Sequence, residues 1–304
     1  MSVPSQTLFP SILNTIGNTP LVQLKRLSSG CVYAKAEFLN PGGSIKDRVA
    51  KHILESVQST GVLKPGMVII ESTSGNTGIG LALVGVQMGY RVICVMPENM
   101  SEERKKIIQA FGGEIVLTPA AESLPGSLRV MKEITDKDPD QYYVVNQFVN
   151  PLNPEVHHQQ TGPEIWQALG GEIGVLVAGI GSGGTLQGVG KFLKEKNPNI
   201  KIVAVEPKNS ASLLGREPGL HQIQGIGDGF VPDVLDVSLV DMVITVSDDE
   251  AINTTRQLAN QEGLLVGTSS GANIFAALRL DNGRNNVVTV LPDRAERYFS
   301  TALL

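Results

Sequence analysis

A chain of 304 residues, 41% hydrophobic and 18% charged, can bury a large core in one big domain or two of ordinary size, which excludes a disordered polypeptide. The net charge of −5 is mild and no basic block is present, so the composition speaks against nucleic-acid binding. No apolar run approaches the roughly 20 residues of a membrane span. Residues 1–10 lack the basic and apolar parts of a signal peptide and read as a loose tail. Cys31 and Cys94 fit no metal or redox spacing and are expected as buried small hydrophobes of a reducing, cytoplasmic location.

The first motif along the chain is Asn40-Pro41-Gly42-Gly43-Ser44-Ile45-Lys46-Asp47-Arg48. The Pro-Gly-Gly run predicts a turn. Ser44 is the expected N-cap of a helix through Val49, Ile53 and Leu54, which sets Lys46 in the first turn. The helix dipole disfavours a positive charge there, so the amine pKa should fall, as a nucleophile or base requires. The plainer alternative is a solvated lysine at a loop edge.

Beyond it, residues 67–71 predict a strand, 77–88 a helix, 91–96 a strand, 101–111 a helix capped by Ser101, and 114–117 a strand. Strands follow at 175–178, 202–206, 243–246 and 287–291, with helices at 154–168, 185–196 and 248–262. Short, fully apolar strands separated by helices predict an α/β fold with mostly parallel sheets covered on both faces. The expected boundary is Asn150-Pro151-Leu152-Asn153-Pro154, dividing 1–150 from 151–304, with the first ~40 residues free to pack on the second half. In such folds ligands sit at the carboxyl ends of strands and between domains.

Four loops meet that description. Glu71-Ser72-Thr73-Ser74-Gly75-Asn76-Thr77-Gly78 follows a strand and opens a helix, with more hydroxyls than a helix cap needs, which suits a carboxylate or phosphate. Gly179-Ile180-Gly181-Ser182-Gly183-Gly184-Thr185 can wrap an anion. With Glu206 at the end of the next strand it also fits a dinucleotide fingerprint, which keeps a nicotinamide-dependent dehydrogenase open. Gly267-Thr268-Ser269-Ser270-Gly271 fits a nucleophile elbow, but no histidine follows Ser269, so the hydrolase order fails. Gln224-Gly225-Ile226-Gly227-Asp228-Gly229-Phe230 reads as a glycine-rich lid in which Asp228 is by default a turn residue. His157 and His158 lack metal spacing and are expected as surface or cap residues. One lysine, one phosphate cradle and one carboxylate cradle together specify pyridoxal phosphate with an amino-acid substrate.

Ile16-Gly17-Asn18-Thr19-Pro20-Leu21, the lysine loop, Ser-Gly-Asn-Thr-Gly, Gly-Ser-Gly-Gly-Thr and Ser-Ser-Gly-Ala occur in order over nearly the whole chain. In these motifs the sequence resembles the cysteine synthase (O-acetylserine sulfhydrylase) family of fold-type II pyridoxal-phosphate enzymes, and cystathionine β-synthase cores are similar. The resemblance implies a tryptophan-synthase-β-like pair of sheets with the cofactor in the cleft between domains. It implies that Lys46 holds the cofactor as an internal aldimine and Asn76 bonds its ring hydroxyl. Gly181, Ser182, Gly183, Gly184 and Thr185 would hold the phosphate, and Ser269 would face the pyridine nitrogen. Thr73, Ser74, Asn76, Thr77 and Gln147 would take the substrate carboxylate, with Gly225 and Asp228 beside the substrate. A serine at the ring nitrogen cannot pair strongly with a pyridinium, which suits elimination of a β-leaving group. The implied reaction is β-replacement on O-acetylserine through an aminoacrylate, with sulfide added.

Departures at Asp228 keep cystathionine formation, or release of sulfide from cysteine, as alternatives. No lysine or arginine lies between Glu217 and Thr255, which favours O-acetylserine over a phosphorylated donor, although Arg216 stands just outside. A homodimer and contact with a serine acetyltransferase tail are also implied.

Overall fold

A strand apolar at every position is stable only when both of its faces are covered. Residues 68–70 are such a run, and the strand they open, Val68–Ser72, is buried throughout. The computed structural model describes residues 8–73, 75–301 and 303. In chain order its elements are β1 (Leu21–Gln23), β2 (Val32–Lys35), α1 (Lys46–Ser59), β3 (Val68–Ser72), α2 (Asn76–Gln87), β4 (Arg91–Pro97), α3 (Glu102–Ala110) and β5 (Glu114–Thr118). They continue with α4 (Ser123–Thr135), β6 (Tyr142–Val144), α5 (Leu152–Val156), α6 (Gly162–Ala168), β7 (Val175–Gly179) and α7 (Gly184–Lys196). The last are β8 (Lys201–Pro207), β9 (Met242–Val246), α8 (Asp248–Gln257), α9 (Thr268–Leu280) and β10 (Val287–Val290).

The strands form a six-stranded sheet, β1-β2-β10-β7-β8-β9, and a four-stranded sheet, β5-β4-β3-β6. Among the described strands only β1 and β2 pair antiparallel; the other pairs are parallel, as the helix-spaced apolar strands predict. Strands from opposite ends of the chain share the larger sheet, because β2 pairs with β10. Side chains of α8 and α9 pack on one face of that sheet, and those of α6 and α7 pack on the other. Around the smaller sheet, Ile53 and Leu54 of α1 meet Leu81 and Val84 of α2, all fully buried. Truncating either α1 residue to alanine costs about 2–5 kcal/mol. Among the described residues no helix is long and apolar enough to cross a membrane.

A buried ionic network fixes the start of α1. Arg48 bonds Glu37 at 2.7 Å and Glu164 of α6 at 2.7 Å, and Glu164 also takes Lys35 of β2 at 2.6 Å. Removing one member leaves a buried charge unpaired, at a cost of about 3–5 kcal/mol. The helix carrying Lys46 is thus braced against the larger sheet and α6.

The elements differ from expectation in a few places. The helix expected over 154–168 is α5 and α6 joined by a π-helical stretch, His157–Thr161, and that over 248–262 ends in another, Leu258–Glu262. Strands β1, β2 and β6 are three or four residues long, too short for a period-2 signal. Pro125 and Gly126 hide α4, and the small residues that open α9 resemble a loop. Ser101 sits at the N-cap of α3, but its hydroxyl donates to the Arg297 carbonyl instead of capping. Cys94 is fully buried, whereas Cys31 is only half-buried.

Candidate active site

A cavity of about 350 Å³ opens at the carboxyl ends of β3 and β7, and Lys46, Thr73, Asn76, Gln147, Ser182, Asp228 and Ser269 all line it. Thr77, Gly181, Gly183, Thr185 and Gly225 line it as well. Gly184 lies one layer back, where a Cβ would overlap the Asn153 amide. Ser74 falls outside the described residues.

Lys46 opens α1 as expected, but the N-cap is Ile45 and not Ser44; Ser44 Oγ accepts the Lys46 N–H at 3.2 Å from one residue further back. Asp47 Oδ2 accepts the Gly42 N–H at 2.6 Å and folds the Pro-Gly-Gly turn onto the helix. Lys46 Nζ reaches across the cavity and donates to Ser182 Oγ at 3.0 Å. Burial lowers its pKa to about 8, against the opposing pull of Asp228 and then Asp293. The direction agrees with the dipole argument, but burial is the main cause.

Opposite Lys46, Gly183 adopts φ of 80°, the left-handed conformation natural to glycine, and opens α7. A side chain on Gly181 would overlap the Gly225 carbonyl oxygen. The 13-residue helix α7 directs its free first-turn N–H groups at this spot. Ser182 Oγ also accepts from Asn153 Nδ2 at 3.0 Å, which fixes the hydroxyl. Thr185 Oγ1 lies 3.4 Å from His157 Nε2, and His157 Nδ1 lies 3.0 Å from Thr161 Oγ1. His157 is therefore a fully buried support of the cradle and not a surface residue, a correction. Burial, then Lys46, drives its pKa well below the usual histidine value. Its neighbour His158 is near the surface and pairs with Glu195 at 2.8 Å.

The third wall is the loop after β3. Thr73 Oγ1 accepts the Gly75 N–H at 3.2 Å, and Thr77 Oγ1 donates to Gln147 Oε1 at 2.7 Å. Gln147 is presented by a turn in which Asn146 has φ of 54°, unusual for a residue with a side chain. Glu71 holds that turn, accepting the Asn146 N–H at 2.7 Å and the Gln147 N–H at 3.1 Å. Burial raises its pKa to about 7 despite both bonds.

Sequence reasoning missed the group that holds Asn76. Asn76 Nδ2 donates to Asp293 Oδ2 at 2.6 Å, while Arg297 Nη1 donates to Asn76 Oδ1 at 2.5 Å and Arg297 Nη2 to the Gly42 carbonyl at 2.7 Å. Tyr298 also donates to Asp293 Oδ2, and burial followed by Asp293 pushes the phenol pKa up. Asp293 follows β10 directly, so the rule that sites lie past strand ends was a signal able to find it. Arg104, another cavity residue, carried no such signal.

The hydroxyl of Ser269, at the start of α9, has no hydrogen-bond partner among the described residues, and the residue lines the cavity. His221 is committed to its own loop, with Nε2 3.0 Å from the Gly227 carbonyl and Nδ1 accepting the Ile223 N–H at 3.2 Å. No imidazole is left for an elbow serine. Glu206 turns inward and accepts the Leu213 N–H at 3.2 Å, so it is not available to a ribose, and the dinucleotide reading loses its acid. Asp228 is not a mere turn residue: it stands at the cavity wall and acts on Lys46. Enclosure by the walls raises its pKa, and Lys46 and His221 pull it back.

An amine of depressed pKa, an anion cradle one hydroxyl away and an uncharged serine on a further wall fit a cofactor with an aldehyde, a phosphate and an aromatic nitrogen. The fold and the site thus define an enzyme built around such a cofactor. The chain belongs to the pyridoxal-phosphate dependent enzyme family, whose profile matches residues 12–293. It is 48% identical over 301 residues to a curated cysteine synthase of Staphylococcus aureus, covering 96% of each chain. A cysteine synthase crystal structure from Entamoeba histolytica superposes with a TM-score of 0.95 at 42% identity, over 100% of this chain and 93% of that one. An O-acetylserine-dependent cystathionine β-synthase from Helicobacter pylori gives 0.91 at 40% identity, over 98% and 99%.

Proposed function

We propose that this chain makes L-cysteine from O-acetyl-L-serine and sulfide, replacing the β-substituent of the amino acid with pyridoxal phosphate as cofactor. The observation that carries the reading is Lys46 Nζ, pKa about 8, 3.0 Å from Ser182 Oγ in a cavity shared by both sheets. When bound, pyridoxal phosphate supplies an aldehyde carbon for an amine and an electron sink for the α-carbon.

The chain's own residues do the rest. Gly181, Ser182, Gly183 and Thr185 bind the phosphate at the start of α7, backed by Gly184. Ser269 meets the ring nitrogen with a neutral hydroxyl and so leaves it without a strong counter-charge. Thr73, Ser74, Asn76 and Thr77, with Gln147, orient the substrate carboxylate, and Gly225 and Asp228 border the departing group. Lys46 Nζ, whose lowered pKa leaves a sizeable uncharged fraction near neutral pH, would hold the cofactor's aldehyde carbon and would serve as the base for the α-proton. Sulfide enters where acetate leaves, and the walls keep water out.

The test adds O-acetylserine to the yellow holoenzyme, then sulfide. A reversible shift of the visible band to longer wavelength, with L-cysteine formed, is the expected result; no L-cysteine overturns the proposal. A second reading is favoured by Asp228, the strongest of the charges acting on Lys46. A carboxylate at that wall can take a proton from a larger thiol or from water, so homocysteine or water becomes the incoming group. The Helicobacter pylori relative carries cystathionine β-synthase in its name.

The reading also includes two lobes divided near residue 150, with β1 and β2 in the second. It includes a homodimer, a cytoplasmic location, supported by the unpaired Cys31 and Cys94, and a serine acetyltransferase tail as partner.

A further inference from the structure

One buried guanidinium at the cavity has no carboxylate partner. Arg104, in the first turn of α3, is 4% exposed and lines the cavity. Arg48, equally buried, pairs with Glu37 and Glu164. Arg104 by contrast donates from Nη1 to the neutral amide oxygen of Gln224 and stacks over Tyr298 at 4.8 Å from the ring centroid. Its Nε is buried with no acceptor. Among the described residues no acidic group lies within ion-pair distance of it. A cation kept from water in this way is costly until an anion arrives.

Its position says which anion. A Cβ built on Gly75 would stand 2.9 Å from Arg104 Nε, so the guanidinium is packed against the backbone that opens α2. The first-turn N–H groups of that 12-residue helix add positive potential at the same place. Gln224 belongs to the glycine-rich loop after β8, on the larger sheet, whereas α3 follows β4 of the smaller one. The Arg104–Gln224 bond therefore spans the two sheets.

We propose that Arg104 is the fixed cation of the amino-acid carboxylate subsite, acting through Gly75 on the start of α2, while its bond to Gln224 ties α3 to the opposite wall. This rests on the proposed reading of loop 73–77 as the carboxylate site. Arg104 is a positioning residue: it works through Gly75 and Gln224 and touches no reacting atom. It also supplies a cation in the cavity from outside the 217–255 segment, where the sequence holds none.

Calorimetric binding of L-serine and L-serinamide to the holoenzyme tests this, since the two differ in carboxylate against neutral amide. Wild type should prefer L-serine by at least about tenfold, the scale of one charge-assisted interaction. Arg104→Met should lose about that factor for L-serine and leave L-serinamide within about twofold, and Arg104→Lys should recover most of the preference. Arg104→Gln serves as the neutral variant if Arg104→Met does not fold. A neutral variant that keeps the full preference overturns the role of Arg104 while leaving the loop reading intact. Equal loss for both ligands overturns it as well, by showing a purely structural part. A wild type that binds both ligands equally overturns the loop reading and this inference with it.

Discussion

Replacing Glu71 by glutamine separates the charge of the residue from its shape. The residue is 2% exposed, and burial raises its pKa from 4.5 to about 7, outweighing the two N–H bonds from Gln147 and Asn146. In a folded state that favours the protonated acid, the sign follows directly. Below pH 4.5 both states hold the proton and no penalty arises. Between pH 4.5 and about 7 the native state keeps a proton that the unfolded chain releases, so stability falls as pH rises. Above that window the penalty is complete, at roughly 3 kcal/mol for a shift of this size.

Glu71→Gln removes the pH-dependent penalty and, like the protonated acid, offers one good acceptor to the two N–H groups. The variant should therefore lie within about 1 kcal/mol of wild type near pH 5 and gain on it by about 2 kcal/mol by pH 8. Urea unfolding of the two holoenzymes at both pH values measures this. A stability difference that does not change with pH refutes the reasoning. The same variant should raise KM for O-acetylserine several-fold without changing KM for sulfide, because Gln147 loses its brace.

Further outcomes follow from the same geometry. Covalent uptake of pyridoxal phosphate by the apoprotein should quicken as pH rises through about 8, where Lys46 becomes uncharged; stopped-flow absorbance reads the profile, and a flat one contradicts the assigned pKa. Gly181→Ala pushes a methyl into the Gly225 carbonyl and should weaken cofactor retention at least about tenfold, measured by equilibrium dialysis. Asp228→Asn should spare the sulfide reaction and depress any reaction with homocysteine or water; product analysis by mass spectrometry separates the two, and an equal fall in both argues for a structural aspartate.

Much of the fold and part of the site were legible because they rest on local signals. Apolar runs such as 68–70 and 92–97, spaced by helices, can be stable only as covered parallel strands. Turn chemistry at 41–44 and 179–185 placed Lys46 and the anion cradle at the starts of helices, where the structure has them. The residues that hold these groups were not legible. Asn76 meets Asp293 across 217 positions, and Arg104 meets Gln224 across 120. His157 looked like a cap because nothing in its neighbours announces that α7 covers it, and Glu71 looked like the end of a strand. Periodicity and turn signals reach only a few residues along the chain. Which distant side chains meet is decided by sheet order, here by β10 returning beside β2 and β7 to set Asp293 next to the helix that carries Lys46. The chemistry was written locally in the sequence; its alignment is a product of tertiary packing.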